Sequence, residues 1–298
     1  MKIILSRKGF DSSHGGYASP ILPDGRLISL PIPMKGEKIG YADLLYGKGE
    51  RLDDLMKELK LKRIKINGKR QELIGECKCH LDPDISKNVH ISKNVHISEN
   101  VLSREKNWRP CFGQVNGAQS HLKNQEVKEG DLFLFFGWFR HTTCKNGKLE
   151  FQGRDIHLIF GYLQIGEIIR IKEFKENAIP DWLGYHPHQN NPDIANKSNN
   201  TIYVAGEKLS WDNKLPGGGV FKFDEKDKKL VLTRARTNNR SEWDLPKFFK
   251  EATISYHSKN SWEEGYFKSN PIGQEFIIKD NKEIEDWAKE LIKNHIIM

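Results

Sequence analysis

Four cysteines, four methionines and no long apolar run are found in this 298-residue chain, and each scarcity removes a class of protein. Cys77, Cys79, Cys111 and Cys144 are too few for a disulfide framework at this length, so a small stapled secreted scaffold is set aside. A bilayer-spanning helix needs about 20 consecutive apolar residues. No stretch approaches that, mean hydropathy is -0.66, and no contact with a membrane is expected. The opening residues 1–6 read as a first strand, too short for the apolar core of a signal peptide, and a cytoplasmic location is expected. Gly217-Gly218-Gly219 lacks the Lys-Ser/Thr that completes a phosphate-binding loop. Cys77-x-Cys79-His80 lacks a second pair at zinc-finger spacing, leaving inert buried thiols and a structural zinc as its two readings. There is no activated-nucleophile motif, and no Pro/Gly/Ser-rich linker divides the chain, so residues 1–298 are expected to form one domain.

What the chain does have is strand signal and positive charge. Lys and Arg number 48 against 40 Asp and Glu, a net charge of +8 with pI ≈ 9.1, which suits a polyanionic partner. The densest strand signal lies in residues 130–171. Apolar and aromatic residues fill 132–139, Asn146-Gly147 supplies a tight hairpin turn, and a second apolar run covers 156–171. Residues 201–205 and 230–233 read as further strands. Leu52, Leu55, Met56 and Leu59 recur at helical spacing within 41–59, and residues 108–122 read as a turn into a short helix. The chain closes on an amphipathic helix with Ile284, Trp287, Leu291 and Ile292 on one face and Asp280 with Glu283 as its capping box. The expected fold is α+β: a curled, mostly antiparallel sheet or partial barrel with flanking helices and a C-terminal helix.

Polar side chains that would act on a ligand gather in loops around that sheet. Residues 1–34 are pinned by frequent glycine and proline and carry Arg7, Lys8 and Asp11, a rigid setting for a phosphate-holding pair and an acid or base. Gln114 and His121 come just before the central sheet, and an amide offers the paired donor and acceptor that reading a base edge requires. Trp138 offers a stacking face. Arg234 and Arg240, close to Asn238, Asn239 and Trp243, suit a phosphate, with structural ion pairing as the plainer reading. Lys57, Lys60, Lys62, Arg63, Lys65, Lys69 and Arg70 form the most basic window, either a solvated face or an edge that contacts phosphates. His186-Pro187-His188 in a proline-limited loop, together with Asp84, supplies weak metal-ligand candidates, and no cofactor is indicated. The tandem hexapeptides in 85–101 read as a duplication that lengthens a loop, and His90 and His96 need no function there.

Several stretches together resemble a known family. They are Arg7-Lys8-Gly9-Phe10-Asp11, Ser19-Pro20 followed by Pro23-Asp24-Gly25-Arg26, His80-Leu81-Asp82-Pro83-Asp84, Phe112-Gly113-Gln114, Gly130-Asp131 with its aromatic strand, and His186-Pro187-His188. They look like the nucleotide modification associated domain family of the third type, over nearly the whole chain. That resemblance implies a nucleotide- or nucleic-acid-directed protein linked to DNA base modification in phages and bacteria. It does not supply a chemistry. Gly130-Asp131 before an aromatic strand also resembles PUA-like barrels, including the ASCH and EVE types, which implies a pocket for a nucleotide or modified base.

Three readings follow. An enzyme acting on a nucleotide would use Asp11, Asp82 and His121 as acid or base, with Arg7, Lys8, Gln114, Trp138, Arg234 and Arg240 holding the ligand. A non-catalytic module would recognise a modified base. A metal-dependent hydrolase would draw on Asp82, Asp84, His186 and His188. The sequence leaves the reaction, substrate, partner proteins and oligomeric state open.

Overall fold

The β-branched and aromatic residues of the central stretch build the hairpin that their turn demands. This is seen in a computed structural model, which describes residues 1–47, 49–72, 77–87, 89–91, 107–173, 179–271, 273–279 and 281–297. One sheet is made of β1 (Ile3–Arg7), β2 (Ser19–Ile21), β3 (Cys111–Gln114), β4 (Leu132–Lys145), β5 (Lys148–Arg170), β6 (Thr201–Ala205), β7 (Gly218–Val220) and β8 (Glu275–Ile278). Asn146 and Gly147 join β4 to β5 with φ of 54° and 74°, the left-handed pair that a two-residue hairpin requires.

The order along the sheet is β8-β1-β4-β5-β6-β3, with β2 added beside β4 and β7 beside β5. Only β1 and β2 run parallel to β4; the other pairings are antiparallel. Register shifts in β5 between Gln152 and Ile156, and again between Ile159 and Gly161, bend it so that one strand serves two faces. The result is a curled half-barrel in an α+β fold, closed against the C-terminal α5 (Lys282–His295). Ile3 faces Ile278 in the register of β1 and β8, which brings the two ends of the chain together.

The aromatic excess becomes packing. Phe112, Phe133, Phe135 and Tyr203 meet edge-on or stacked at centroid separations of 5.1–6.0 Å and are fully or nearly fully buried. A second apolar cluster gathers Leu52, Leu55, Met56 and Leu59 with Phe10, Tyr41, Ile64 and Tyr185. It holds the first loop against the segment that follows α1 (Leu52–Glu58).

Several expected boundaries move. The helical spacing of 41–59 yields a single helical turn, Tyr41–Asp43, and a short strand, Leu44–Tyr46, before α1. Gly47 and Gly49, at φ of 65° and 91°, break the run. Residues 108–122 contain the strand β3 ahead of the helix α2 (Asn116–Asn124). Residues 230–233 are not a regular strand: Asp227 caps a helical turn at Lys228–Leu230, and Val231 and Thr233 make only isolated bridges. The α5 cap is Asn281, whose side chain accepts from Ile284 N at 3.0 Å, and Asp280 lies outside the described residues. Of the hexapeptide repeat, Ile85 enters the main core and Val89–Ile91 pairs with Leu44–Tyr46, while residues 92–101, His96 included, lie outside the described residues. Among the described residues, no helix is long and apolar enough to cross a membrane.

Candidate functional site

Three chain segments converge at one end of the sheet. Strand β1 delivers Arg7 and Lys8, β3 delivers Gly113 and Gln114, and between these arrives the extended segment His80-Leu81-Asp82. In extended backbone, residues two apart project to the same side, so His80 and Asp82 face one way. His80 N donates to Ile32 O at 2.8 Å, and Asp84 and Cys111 exchange both backbone hydrogen bonds at 2.9 Å, which fixes this segment against β3. From the far side comes α3 (Pro187–Asn190), whose N-cap His186 accepts at Nδ1 from His188 N at 3.2 Å. These elements bound a cavity of about 460 Å³ lined by His80, Asp82, His188, Arg7, Asn116 and Lys197 among others.

At its wall, His80, Asp82 and His188 each offer one donor atom, and all three atoms lie within 4.8 Å of one another. The two rings are held in a definite tautomer. His80 Nδ1 donates to Glu37 Oε1 at 2.8 Å, and Asn191 Nδ2 holds the same carboxylate oxygen at 2.9 Å. His188 Nδ1 donates to Asn200 Oδ1 at 2.7 Å. In the neutral form of each ring, Nε2 is then the nitrogen that keeps its lone pair. Asp82 Oδ1 accepts from Gly113 N at 2.7 Å, and Oδ2 stands 3.9 Å from His80 Nε2. His186 is different: with Nδ1 already accepting, its neutral ring carries the proton on Nε2. That atom is buried 3.4 Å from Asp82 Oδ1 without a well-formed hydrogen bond. Burial acts to raise the Asp82 pKa, but the His186 contact and the surrounding imidazoles outweigh it and hold the carboxyl down to about 2. Burial pushes His188 down to about 3, which keeps its ring neutral.

A second cavity, about 240 Å³, adjoins the first and shares Arg7, Asp11 and Pro271 with it. Arg7 gives its two terminal nitrogens to Pro271 O and Asn270 O, at 2.8 and 2.6 Å, and its buried Nε has no partner among the described residues. The Arg240 guanidinium lies over the Trp138 ring, 4.2 Å from its centroid, and donates to Ser12 Oγ at 2.8 Å. Trp138 Nε1 is buried with no partner among the described residues. His157 completes the lining. Its Nδ1 accepts from Trp243 Nε1 at 3.0 Å, so its proton sits on Nε2. Burial lowers the pKa of Arg7 and the Arg240 charge lowers it further, while Asp11 works against both. Two cations sharing a half-buried pocket with donors left over is an arrangement that an anion relieves.

The structure thus brings Arg7, Asp11, Asp82, Trp138, His188 and Arg240 together. It places other candidates elsewhere or commits them. Lys8 and Gln114 also line the first cavity, with Lys8 Nζ paired to the buried Glu275 at 2.9 Å and Gln114 Nε2 donating to the same oxygen at 2.7 Å, so both polar ends are already engaged. Asn116, which is exposed, lines the same cavity. Asp84 accepts from Trp108 Nε1 and Tyr185 OH, away from the donor cluster. His121 binds Ser255 Oγ at 3.0 Å and packs on Tyr256 without lining the cleft. Arg234 forms an ion pair with Glu242 at 2.7 Å beneath Tyr266. Asp11 accepts from the backbone of Ser13 and His14, both at 2.6 Å; burial acts to raise its pKa, but the His14 side chain and these backbone contacts hold it down, and the carboxylate shapes the loop. Sequence reasoning singles out neither His157 nor, outside its zinc reading with Cys77 and Cys79, His80. The signal for His80 was the alternation His80-x-Asp82, masked by the neighbouring Cys77 and Cys79, which are free thiols.

In comparisons with known proteins, the family model described as nucleotide modification associated domain 3 matches residues 2–279. No curated protein and no solved structure matches, so the likeness to PUA-type barrels gains no support.

Proposed function

The chain belongs to the nucleotide modification associated domain 3 family, and from that premise we propose that it binds a nucleotide across the two joined cavities and acts on it there. The phosphate sits between Arg7 and Arg240, with Trp138 Nε1 and His157 Nε2 as further donors. Sugar and base extend past Asn116 toward His80, Asp82 and His188. The observation that carries this reading is the pairing of two partly buried guanidinium groups with two buried N–H groups, Arg7 Nε and Trp138 Nε1, that lack partners among the described residues. A buried donor without a partner costs about 1–3 kcal/mol, so an oxyanion that satisfies both binds with that cost relieved.

A free nucleotide or a single strand fits better than a duplex, because a base stacked in a helix must first be extruded. The basic hairpin of Arg63–Ile66 and Lys69–Glu72 lies beside the same loop, with Gly68 N donating to Ser13 O at 2.9 Å and Lys65 Nζ to Ser12 O at 2.9 Å. That position supports a strand whose neighbouring phosphates reach the hairpin.

The test is calorimetric binding of deoxynucleoside monophosphates and of the matching nucleosides to the wild type and to Arg240→Ala. Removing one charge-assisted hydrogen-bonding group should weaken monophosphate binding about tenfold or more and leave nucleoside binding unchanged. Equal affinity of the two proteins for the monophosphate would overturn the assignment.

A further inference from the structure

We propose that His80, Asp82 and His188 form a mononuclear site for a divalent first-row transition-metal ion, with Nε2 of each histidine and Oδ2 of Asp82 as its three protein ligands. The remaining coordination positions face the cleft. This site rests on the donor cluster alone and stands whether or not the ligand is a nucleotide.

Four observations carry it. The donor atoms already lie within 4.8 Å of one another, and bonds of about 2.0–2.2 Å bring such atoms to roughly 3 Å apart, a closure that side-chain rotation supplies. Both histidines have their other nitrogen engaged, His80 by Glu37 and His188 by Asn200, which is how metal-bound imidazoles are oriented and their tautomers fixed. Glu37 is itself held by Asn191, so the support extends one layer further. Asp82 has one oxygen held by Gly113 N and the other turned toward His80 Nε2. Finally, the cluster forms the wall of an open cavity and is not sealed in the core, so an ion there keeps positions for water or a substrate atom.

The donor set narrows the ion. Two imidazoles and one carboxylate on one side, with no thiolate, suit Fe(II), Mn(II), Co(II) or Zn(II), whereas Mg(II) and Ca(II) prefer all-oxygen surroundings. Cys77 and Cys79 take no part. His186, the first histidine of the His-Pro-His loop, is not a ligand: its Nδ1 accepts the His188 backbone N–H and its Nε2 carries the proton toward Asp82. It is a positioning residue for the carboxylate. An ion at this point polarises an oxygen bound to it, or lowers the pKa of its bound water, so that the cleft holds a Lewis acid within reach of whatever lies along the cavity.

The test is titration of untagged, chelator-stripped protein with Co(II), followed by visible absorption, together with elemental analysis of protein purified from metal-supplemented cells. The wild type is expected to bind one equivalent and to give the weak ligand-field bands of a five- or six-coordinate ion. His80→Gln, Asp82→Asn and His188→Gln should each weaken binding at least tenfold, while Cys77→Ser keeps the stoichiometry. The outcomes that overturn the site are wild-type protein without a saturable cobalt spectrum, or a spectrum that survives in folded His80→Gln and His188→Gln. If the triad variants fail to fold, the wild-type spectrum still decides, because thiolate ligation would give intense charge-transfer bands that this donor set cannot produce.

Discussion

Gly113 and His188 occupy each other's space: a Cβ built on Gly113 would lie 2.2 Å from His188 Cδ2. The backbone N–H of the same glycine holds Asp82 Oδ1 at 2.7 Å, so one residue sets both a ring and a carboxylate of the proposed metal site. The absence of a side chain here serves close approach and not a special backbone angle. Gly113→Ala must push the His188 ring aside. The expected result is a loss of about 1–3 kcal/mol in stability, typical of overpacking, together with weakened cobalt binding. Urea melts and cobalt titration of the variant check this, and an unchanged pair of values would contradict the account.

Lys8 and Glu275 form a pair with side chains only 9% and 1% exposed. Breaking such a pair leaves one charge buried and uncompensated, which costs about 3–5 kcal/mol, whereas removing both charges is far milder. Lys8→Met should therefore destabilise the fold strongly, and Lys8→Met combined with Glu275→Gln should recover most of the loss. If Lys8 instead held the ligand phosphate, the double variant would recover stability and lose nucleotide affinity. Denaturation and binding measured on the same three proteins separate these roles.

His157 supplies a pH dependence whose sign is fixed. Burial, then the charges of Arg7 and Arg240, depress its pKa far below the ordinary value, so it stays neutral when folded and takes a proton when unfolded. Its contribution is present in full above about pH 6.5 and is lost as the pH falls, at up to about 1.4 kcal/mol per pH unit. Stability of the wild type and of His157→Gln, measured by urea unfolding at pH 7.5 and 5.5, should converge at the lower pH. A gap that widens on acidification would refute the assignment.

The hairpin carrying Lys62, Arg63 and Lys69 bears exposed charge beside the loop of Ser12 and Ser13. If it follows a strand's phosphates, Lys62→Gln with Lys69→Gln should reduce the salt dependence of single-stranded DNA binding by about 0.7 in slope for each phosphate the hairpin no longer neutralises. Mononucleotide affinity should not change. Identical slopes would make the hairpin a solvated face.

The sheet was legible because its signals are local. Asn146-Gly147 takes positive φ at both positions, and the strands on either side pair outward from Lys145 and Lys148. The failures are equally physical. Cys111–Gln114 is four residues long and becomes a strand only because Thr201–Ala205 pairs with it, a pairing that no local pattern encodes. Leu230 and its neighbours carry strand-forming side chains, yet Asp227 caps a helical turn there. At the site, Arg7, Asp11 and Asp82 were readable as polar residues on rigid segments. Glu37 and Asn200, which orient His80 and His188, lie 43 and 12 residues from the rings they hold. Gln114 and Lys8 do line the cleft, but their shared partner Glu275 lies 161 and 267 residues away, a contact that no local pattern encodes.

If the arginine pocket and the His80-Asp82-His188 cluster are two ends of one site, joined through Arg7, Asp11 and Pro271, a bound nucleotide must reach from one to the other. Nuclear relaxation of a bound deoxynucleoside monophosphate, measured with Mn(II) added to the wild type and to His188→Gln, reads that distance. Strong paramagnetic enhancement is expected at the sugar and base protons in the wild type, collapsing in His188→Gln while Arg240-dependent binding persists. Nucleotide binding with the same enhancement in both proteins, or with none in either, would show that the two ends do not work on one ligand.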